Sequence, residues 1–377
     1  MFGLYIHIPF CKHICHYCNF YKMVVSDKLK EKTINYIIRE LKLQEKIVKN
    51  SDTIYIGGGT PSILSLNLLE MLLKTLLGAV EIKKVKEFSI EANPEDLTED
   101  FIKLISKYKV NRVSIGVQSF QKNIIDTLGR KPYITKDELI DKINLLNKYG
   151  ITNISVDLMY AVPGETLDDL KKDLDVISHL PITHVSTYSF ILEDKTILKY
   201  KYENNELDLV DEDLDRAMYD YIRETLEQND FIHYETSNFA KDGFMGIHNL
   251  SCWHNEEYLG IGPAAASNYR NMRFCNLNNL NSYFECIDNL EYKYEYFEML
   301  TKDDKMYYEL LLGLRLIKGV NIDEFISKYN VHPFDVFTNG KKILDDGMIQ
   351  IKDNYLSISK EYIYLANLVL RKLLYND

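Results

Sequence analysis

The chain has 377 residues, of which 46% are hydrophobic and 27% charged, a composition typical of a folded protein with a substantial core. Its formal net charge of −11 at pH 7 argues against a nucleic-acid partner, because phosphate binding requires a basic surface. No apolar run is long enough to cross a bilayer and no secretory signal is visible. We therefore expect a cytoplasmic protein without a transmembrane segment.

Short β-rich runs alternate with longer amphipathic stretches over the first part of the chain, a pattern typical of βα units around a mostly parallel sheet. Asp27 and Thr98 are predicted helix N-caps, and Gly150 follows its helix as a C-cap. Six units are fewer than the eight of a closed barrel, so we predict an α/β fold, a partial (β/α)6 TIM-type barrel. The predicted strands are 4–8, 53–56, 87–91, 112–117, 153–158 and 184–189, and the predicted helices are 27–49, 66–77, 98–107, 135–149 and 166–178.

The pattern changes after the sixth strand, which predicts three parts: a barrel at 1–200, an extension at 201–295 and a C-terminal module at 296–377. In the extension we predict a helix at 211–229 and a strand and loop at 233–237, followed by a Gly- and Asn-rich stretch at 243–281. The C-terminal module is predicted to be a small α+β, winged-helix-like unit. Its predicted elements are helices at 302–317 and 322–329, a hairpin from 348–352 and 355–359, and a closing helix at 361–374.

Three cysteines stand directly after the first predicted strand. Cys11, Cys15 and Cys18 have the spacing C-x3-C-x2-C, which can hold three irons of a [4Fe–4S] cluster and leave the fourth iron open. The open iron can take the amino and carboxylate groups of S-adenosylmethionine (SAM), whose reductive cleavage releases a 5′-deoxyadenosyl radical. A zinc site that adds His13 or His16 is the alternative, although zinc sites usually use two separated cysteine pairs.

Polar residues recur where the predicted strands end. Strand two runs into Gly58, Gly59 and Thr60, which let the backbone approach a ligand closely, although a tight strand-to-helix turn would also use them. The carboxyl ends of barrel strands carry the ligand-binding residues, so this pattern predicts a ring around the cysteines. Strands three, four and five end in the same way, at Glu91, Gln118 and Asp157.

The segments YIHIPFCKHICHYCNF, IYIGGGTPS, EANPEDL, NRVSIGVQSF, LGR, DLMYAVPGET and YETSNFA, in this order, resemble the oxygen-independent coproporphyrinogen oxidase family of radical SAM proteins. The resemblance covers nearly the whole chain and implies a [4Fe–4S] cluster and SAM as cofactors. It also implies a role for each of several residues: Tyr17 near the adenine; Gly58, Gly59 and Thr60 on the methionine amino group; Glu91, Gln118, Arg130 and Asp157 on the ribose and carboxylate; Tyr5 and His7 close to the cluster.

The family contains an oxidase that decarboxylates coproporphyrinogen III and a haem chaperone branch, HemW. Three features resemble the chaperone: the cluster motif begins at residue 11 without the oxidases' N-terminal extension, Phe20 stands where oxidases have a fourth cysteine, and the tail carries IHN, YLGIGP and LLLGLRLIKG. The branch's haem motif HNxxYW reads HNLSCW at 248–253, so His248 and Cys252 are the candidate haem ligands, with His254 as a competitor.

The resemblance therefore predicts a radical SAM haem chaperone that binds haem and passes it to an acceptor haem protein. It also implies a reductant such as flavodoxin or ferredoxin, and it leaves a homodimer open. The alternatives are an anaerobic coproporphyrinogen III oxidase, a related radical SAM methyltransferase and, more remotely, a zinc-stabilised binding protein.

Overall fold

The computed structural model describes residues 1–337 and 339–374; residues 338 and 375–377 of the predicted C-terminal module lie outside the described residues. In chain order the elements of the first part are β1 (Phe2–Ile8), α1 (Asp27–Leu43), α2 (Glu45–Val48), β2 (Thr53–Gly58), α3 (Leu66–Ala79), β3 (Glu87–Ala92), α4 (Glu99–Lys107), β4 (Arg112–Gln118), α5 (Lys122–Thr127), α6 (Lys136–Lys148), β5 (Asn153–Tyr160), α7 (Leu167–Ser178), β6 (His184–Ser189), α8 (Ile197–Glu203) and α9 (Glu212–Gln228). The remainder are β7 (Ile232–Glu235), β8 (Asn238–Ala240), α10 (Ile247–Trp253), β9 (Glu257–Ile261), β10 (Ala266–Tyr269), β11 (Met272–Asn276), α11 (Leu280–Asn289), β12 (Tyr294–Met299), α12 (Lys302–Gly313), β13 (Val320–Asn321), α13 (Ile322–Tyr329), α14 (Pro333–Val336), α15 (Gly340–Asp345), β14 (Ile349–Lys352), β15 (Tyr355–Ile358) and α16 (Ala366–Leu374).

A twelve-stranded sheet forms the body, in the order β12-β11-β10-β9-β1-β2-β3-β4-β5-β6-β8-β7. The strands β1 to β6 lie side by side in sequence order and are parallel to their neighbours. The helices of the βα units connect them. The predicted six-unit partial barrel is confirmed, and its strands all point their carboxyl ends to the same rim, which we call the mouth. The opposite rim, where the strands begin, is the floor.

Apolar and polar residues alternate along the strands, so the outer face of the barrel is apolar and its interior is polar. On β1, Leu4, Ile6 and Ile8 are fully buried in the main hydrophobic core. Successive strand residues point to opposite faces, so the residues between them face the barrel interior. That interior is lined with groups that can hydrogen-bond, among them Tyr5, His7, Thr53, Tyr55, Glu87, Ser89, Glu91, Arg112, Ser114, Ser155, Asp157, His184 and Ser186.

Several helix limits differ from the prediction. The helix predicted at 27–49 is interrupted, because Gln44 leaves helical geometry with φ −95° and ψ 9°. Its N-cap position is Ser26 rather than Asp27, and the Ser26 side chain makes no capping hydrogen bond. Asp27 is instead the first helical residue, where its charge complements the helix dipole. Thr98 is confirmed as an N-cap, since its hydroxyl accepts from the Phe101 amide.

Strands β9 to β11 and helix α10 lie in the Gly- and Asn-rich stretch 243–281, to which the sequence analysis assigned no element. Strand β9 is parallel to β1 and extends the sheet on that side. It contains Gly260, where a Cβ would lie 2.2 Å from the Ala266 carbonyl oxygen of β10. Glycine is unfavourable in strands unless backbones approach this closely, which is why the segment resembles a loop in sequence.

The C-terminal module contains a three-stranded sheet, β13-β15-β14, with helices around it. The predicted hairpin is confirmed as β14 and β15, and the helix predicted at 302–317 ends at Gly313. The helix predicted at 361–374 begins as a 3-10 turn and becomes α-helical at Ala366. The division of the chain at 200 and 295 stays a prediction. Within the described residues, no helix combines the length and hydrophobicity that crossing a membrane requires.

Candidate functional site

The cysteine loop closes over the end of β1 at the mouth. The Cys11 amide donates to the Met23 carbonyl at 3.0 Å, and Phe10 forms a bridge with Met23, so the loop leaves and returns at the same strand end. The Thr60 hydroxyl, after β2, lies 3.6 Å from Cys11 Sγ. Burial raises the pKa of the Cys11 and Cys15 thiols. The nearby Thr60 hydroxyl lowers the pKa of Cys11 and the nearby Arg130 guanidinium lowers that of Cys15, so each partly offsets the effect of burial.

The donor set fits an iron–sulfur cluster. All three thiols are half-buried, and each of Cys11 and Cys15 is close enough to Cys18 for their charges to interact. In the described part of the chain, no three ligating side chains converge where one metal ion would sit. A cubane does not need such convergence, because each thiolate binds a different iron.

The glycine run after β2 packs against the cysteine loop. Gly58 has φ +113°, and a Cβ there would lie 2.7 Å from the His7 ring. A Cβ on Gly59 would lie 2.6 Å from the Phe10 carbonyl oxygen. The amides of Gly59 and Thr60 donate to the carbonyls of Ile8 and Phe10. The glycines therefore fix the loop by close backbone packing, whatever ligand they also contact.

Glu91 is a buried carboxylate at the mouth end of β3. Its Oε1 accepts from the Tyr55 hydroxyl at 2.8 Å and its Oε2 from the Gly58 amide at 3.1 Å. Burial raises its pKa to about 7, and the neighbouring Asp157 carboxylate acts in the same direction. The protein therefore holds this carboxylate close to its point of ionisation, where one more hydrogen-bond donor from a ligand would favour the charged form.

Gln118 stands at a β-bulge where β4 meets β5, with φ +71°. A left-handed conformation is costly for a residue with a side chain, and bulges near active sites redirect side chains. Asp157, on the neighbouring strand, accepts from the Ser114 hydroxyl at 3.0 Å, and burial raises its pKa. Glu91 and Gln118 therefore lie at the ends of neighbouring strands, as predicted. Asp157 does not end its strand, because β5 continues to Tyr160, and it lies beside Gly116 of β4.

Arg130 is the buried cation of the mouth. Its guanidinium donates to Asn93 Oδ1 at 2.7 Å and to the Gly116 carbonyl, and it lies close enough to Cys15 and Tyr17 to lower the pKa of both groups against the effect of burial. Tyr17 packs against a small apolar cluster next to the cysteine loop, made of Ile124, Leu128, Met159 and Val162. One guanidinium therefore links the cysteine loop to the ends of two strands.

Tyr5 and His7 lie inside the barrel below the cysteine loop. The Tyr5 hydroxyl donates to His7 Nδ1 at 2.8 Å, and His7 Nε2 donates to the Tyr21 carbonyl at 3.0 Å. Burial lowers the pKa of His7, so the imidazole is neutral and its tautomer is set by these two partners. This arrangement ties the far side of the cysteine loop to β1.

The floor carries a second polar network, which the sequence interpretation missed. Glu87, the first residue of β3, accepts from the amides of Ile247 and His248 at 2.6 and 3.3 Å, and the Arg112 guanidinium lies close enough for attraction. A carboxylate at these free amides anchors α10 across the floor. The only sequence signal for this network is a polar residue, Glu87, at an inward-facing position where a strand begins.

Three further strands, β5, β6 and β7, hold the segment before α10 through a chain of hydrogen bonds. The His184 ring, on β6, hydrogen-bonds Ser155 through Nδ1 at 2.8 Å and the Tyr234 hydroxyl through Nε2 at 2.7 Å. The Tyr234 oxygen accepts from the Gly246 amide at 3.3 Å. The floor is therefore closed by hydrogen bonds from four strands.

The two haem-ligand candidates lie on α10 in different surroundings. His248 is 5% exposed, its Nδ1 lies 2.8 Å from the Thr53 hydroxyl, and its ring stacks on Tyr55 at 5.3 Å between centroids. Burial lowers its pKa to about 4. Burial also raises the pKa of the Cys252 thiol to about 11. His254, directly after the helix, is exposed.

The chain is similar to known proteins in sequence and in fold. The Radical SAM superfamily profile matches residues 5–177, and the HemN C-terminal domain profile matches residues 300–364. Over 325 residues, 86% of this chain, the chain is 38% identical to a Lactococcus lactis protein named heme chaperone HemW, of which the match covers 84%. A Bacillus subtilis protein of the same name is 31% identical over 97% of both chains.

The fold is also similar to that of a solved structure. Coproporphyrinogen III oxidase (HemN) from Escherichia coli, a radical SAM enzyme, superposes with a TM-score of 0.85 over 99% of this chain and 89% of that chain. The sequences are 19% identical, so this likeness shows the fold alone.

Proposed function

Because this chain belongs to the HemW family of radical SAM proteins, we propose that it is a haem chaperone, which binds haem and transfers it to haem proteins. Membership of the radical SAM superfamily implies a [4Fe–4S] cluster and SAM. The observation that carries the proposal is the place of the HNLSCW segment. It forms α10 on the floor of the barrel, at the opposite rim from the three cysteines.

The mouth is the proposed site of the cluster and SAM. Cys11, Cys15 and Cys18 would hold the cluster, which when bound supplies the electron for SAM cleavage. Arg130 is placed to neutralise a carboxylate, and Glu91 to accept from hydroxyl or ammonium groups. The complete proposed SAM set is Tyr5, Tyr17, Gly58, Gly59, Thr60, Glu91, Gln118, Arg130 and Asp157.

The distance between floor and mouth supports a role of haem as cargo rather than as the substrate of a radical reaction. Strand β1 has seven residues between floor and mouth, and at about 3.3 Å per residue it spans about 20 Å. A haem held beside α10 would therefore lie beyond the reach of a radical formed at the cysteine loop. An oxidase, in contrast, must bring the propionate side chains of its substrate to the mouth.

The haem ligands and the protein partners are also proposals. His248 and Cys252 are the candidates within the motif, and the burial of His248 means that it could bind iron only if α10 moved. Exposed apolar side chains flank the cysteine loop, since Ile14 is 45% and Phe20 67% exposed. These support docking of a one-electron donor such as flavodoxin or ferredoxin. A homodimer stays a prediction.

The test is an anaerobic incubation of the cluster-loaded protein with SAM, dithionite and coproporphyrinogen III, with haem titration of the same sample. We expect haem uptake, transfer to an acceptor apo-haem protein and no loss of CO2. Stoichiometric decarboxylation would establish the oxidase instead. A new methyl group on a product would establish the methyltransferase.

A further inference from the structure

A cleft runs between the barrel floor and the C-terminal module. It consists of two adjoining cavities, of about 480 Å³ and about 510 Å³, which share the residues His233, Ile317, Lys318 and Tyr355. We call the pair the seam cleft. Both volumes lie in the range of small-molecule and cofactor sites, and each is walled on one side by the barrel and on the other by the module.

The first cavity, the apolar chamber, is lined largely by aromatic and aliphatic side chains, among them Tyr234, Met245, Leu250, Trp253, Leu316 and Val320. Trp253 Nε1 is buried and has no hydrogen-bond partner within the described residues. A buried donor left unsatisfied in this way marks a place for a further polar group. The Arg315 guanidinium lies 5.7 Å from the Trp253 ring centre and holds the indole from the module side.

Helix α10 turns one face to this chamber and the other to the barrel floor. Leu250, Trp253 and His254 line the chamber, whereas His248 contacts Thr53 and Tyr55 inside the barrel. His254 is exposed and stands at the C-terminal end of the helix. Its imidazole is therefore accessible to a ligand in the chamber without movement of α10.

The second cavity, the cationic chamber, contrasts with the net charge of −11 of the whole chain. Its wall contains the cations Arg223, Lys318, Lys352 and Lys360, against the two carboxylates of Glu227 and Asp353. Lys360 pairs with Glu227 at 3.4 Å, while Lys318 and Lys352 have no ion pair within residues 1–337 and 339–374. Lys318 lines both chambers, so it stands where they meet.

We propose that haem binds in the seam cleft, with its macrocycle in the apolar chamber, His254 as an iron ligand, and its propionates directed to Lys318 and Lys352. This inference rests on the proposed haem function and specifies its site. Haem has an apolar ring system, an iron that binds imidazole, and two carboxylates on one edge of the ring. The cleft offers a matching group for each of them: the apolar chamber, His254, and the two lysines. His248 then acts as a positioning residue that holds α10 on the floor.

The proposal gives the C-terminal module a role. Leu316 and Lys318 belong to the segment that joins α12 to β13, and Val320 begins β13, so half of the cleft exists because the module is docked on the barrel. Haem entry and release would then depend on this seam rather than on the mouth. SAM and haem would occupy opposite rims of one barrel.

The experiment is a haem titration of the full-length, cluster-loaded protein, followed by absorbance and calorimetry. We expect His254→Ala to change the Soret band and to weaken haem binding by about tenfold or more. The matched control is His179→Ala, an exposed histidine at the end of α7. Both substitutions are at exposed positions, and a thermal melt of each variant checks that the fold is retained.

A second variant tests the propionates separately. Lys318→Glu combined with Lys352→Glu should weaken binding of haem by about tenfold and leave binding of haem dimethyl ester unchanged, because the ester carries no carboxylates. Lys74→Glu, on an exposed face of α3, is the charge control. If the His254 and lysine variants bound haem with the affinity and the Soret spectrum of the wild-type protein, the seam site would be overturned, but the proposed haem binding by this chain would not. A wild-type protein that takes up no haem would overturn the proposed function, and the seam site with it.

Discussion

Glu87 and Glu91 lie on the same face of β3, and the two rims of the barrel surround their carboxylates differently. At the floor, Glu87 accepts from two amides of α10 and lies beside Arg112. At the mouth, Glu91 accepts from Tyr55 and Gly58, and burial raises its pKa to about 7. The floor carboxylate is engaged by the protein itself, whereas the mouth carboxylate has capacity left for a ligand.

The difference arises from the segments that surround each end of the strands. The mouth is built from loops that leave the strands and carry the cysteines, glycines and Arg130. The floor is closed by α10, which comes from much later in the chain and docks on residues at the beginnings of strands. One rim is therefore formed by loops that carry polar groups, and the other is closed by a helix.

The largest expected effect is at the mouth. Replacing Cys11, Cys15 and Cys18 together by serine should abolish the brown colour and reduce bound iron from about four atoms per chain to none. Iron analysis and absorbance of the reconstituted protein measure this. Cys275→Ser, a half-buried cysteine outside the loop, is the control and should keep the full cluster.

At the floor, Glu87→Ala removes the acceptor of the Ile247 and His248 amides, which is the anchor of α10. We expect the free energy of unfolding to fall by about 2–4 kcal/mol, because each buried donor left without an acceptor costs about 1–3 kcal/mol. Urea denaturation of the cluster-loaded protein measures it. A loss below about 1 kcal/mol would show that Glu87 does not hold the floor together.

The pH dependence of stability should distinguish Glu91 from a permanently ionised carboxylate. Its pKa is raised from an ordinary 4.5 to about 7, so between these values the unfolded chain has lost the proton that the folded chain keeps. Stability contributed by this group therefore falls as pH rises, by up to about 3 kcal/mol across the interval. The group has no effect below pH 4.5, where both states are protonated.

The matched variant for this prediction is Glu91→Gln, which cannot ionise. Relative to wild type it should gain stability from about pH 5 to about pH 8, measured by urea denaturation of the SAM-free protein. Glu40 and Glu235, whose pKa burial also raises to about 7, are present in both proteins and cancel in the difference. A difference that does not change with pH would show that Glu91 is ionised throughout.

The smallest expected effect concerns the residue between the rims. Tyr55 donates to Glu91 and its ring stacks on His248, so it touches both networks. Tyr55→Phe keeps the ring and removes one hydrogen bond, which should cost about 1 kcal/mol of stability and weaken SAM binding by a few-fold. Unchanged SAM affinity, measured by calorimetry, would show that the hydroxyl does not position Glu91.

The sequence predicted the mouth better than the floor, for a physical reason. Strand-end residues such as Glu91 and Gln118 follow apolar runs, and the cysteine spacing is a local signal. The floor depends on contacts between residues far apart in sequence, such as Glu87 with His248. Glu87 begins its strand, where a polar residue also fits a solvent-exposed loop, so its burial could not be deduced from its neighbours.

The extension was hard to predict for a different reason. In β9, Gly260 is needed for the close approach of β10, and glycine normally indicates a turn. The break at Gln44 between α1 and α2 is similarly absent from the hydrophobic pattern, which continues through both helices. At Gly260 a tertiary contact therefore overrides the local preference, and at Gln44 the break has no signal in the pattern.

The separation of cluster and cargo is tested most directly by the dissociation constant for haem in two variants of the full-length chain. One replaces Cys11, Cys15 and Cys18 by serine, and the other is His254→Ala. We predict that the cluster-free protein binds haem within about twofold of wild type, while His254→Ala weakens binding by about tenfold or more. Haem binding that is lost with the cluster and unchanged in His254→Ala would contradict the account, because it would place the haem at the mouth.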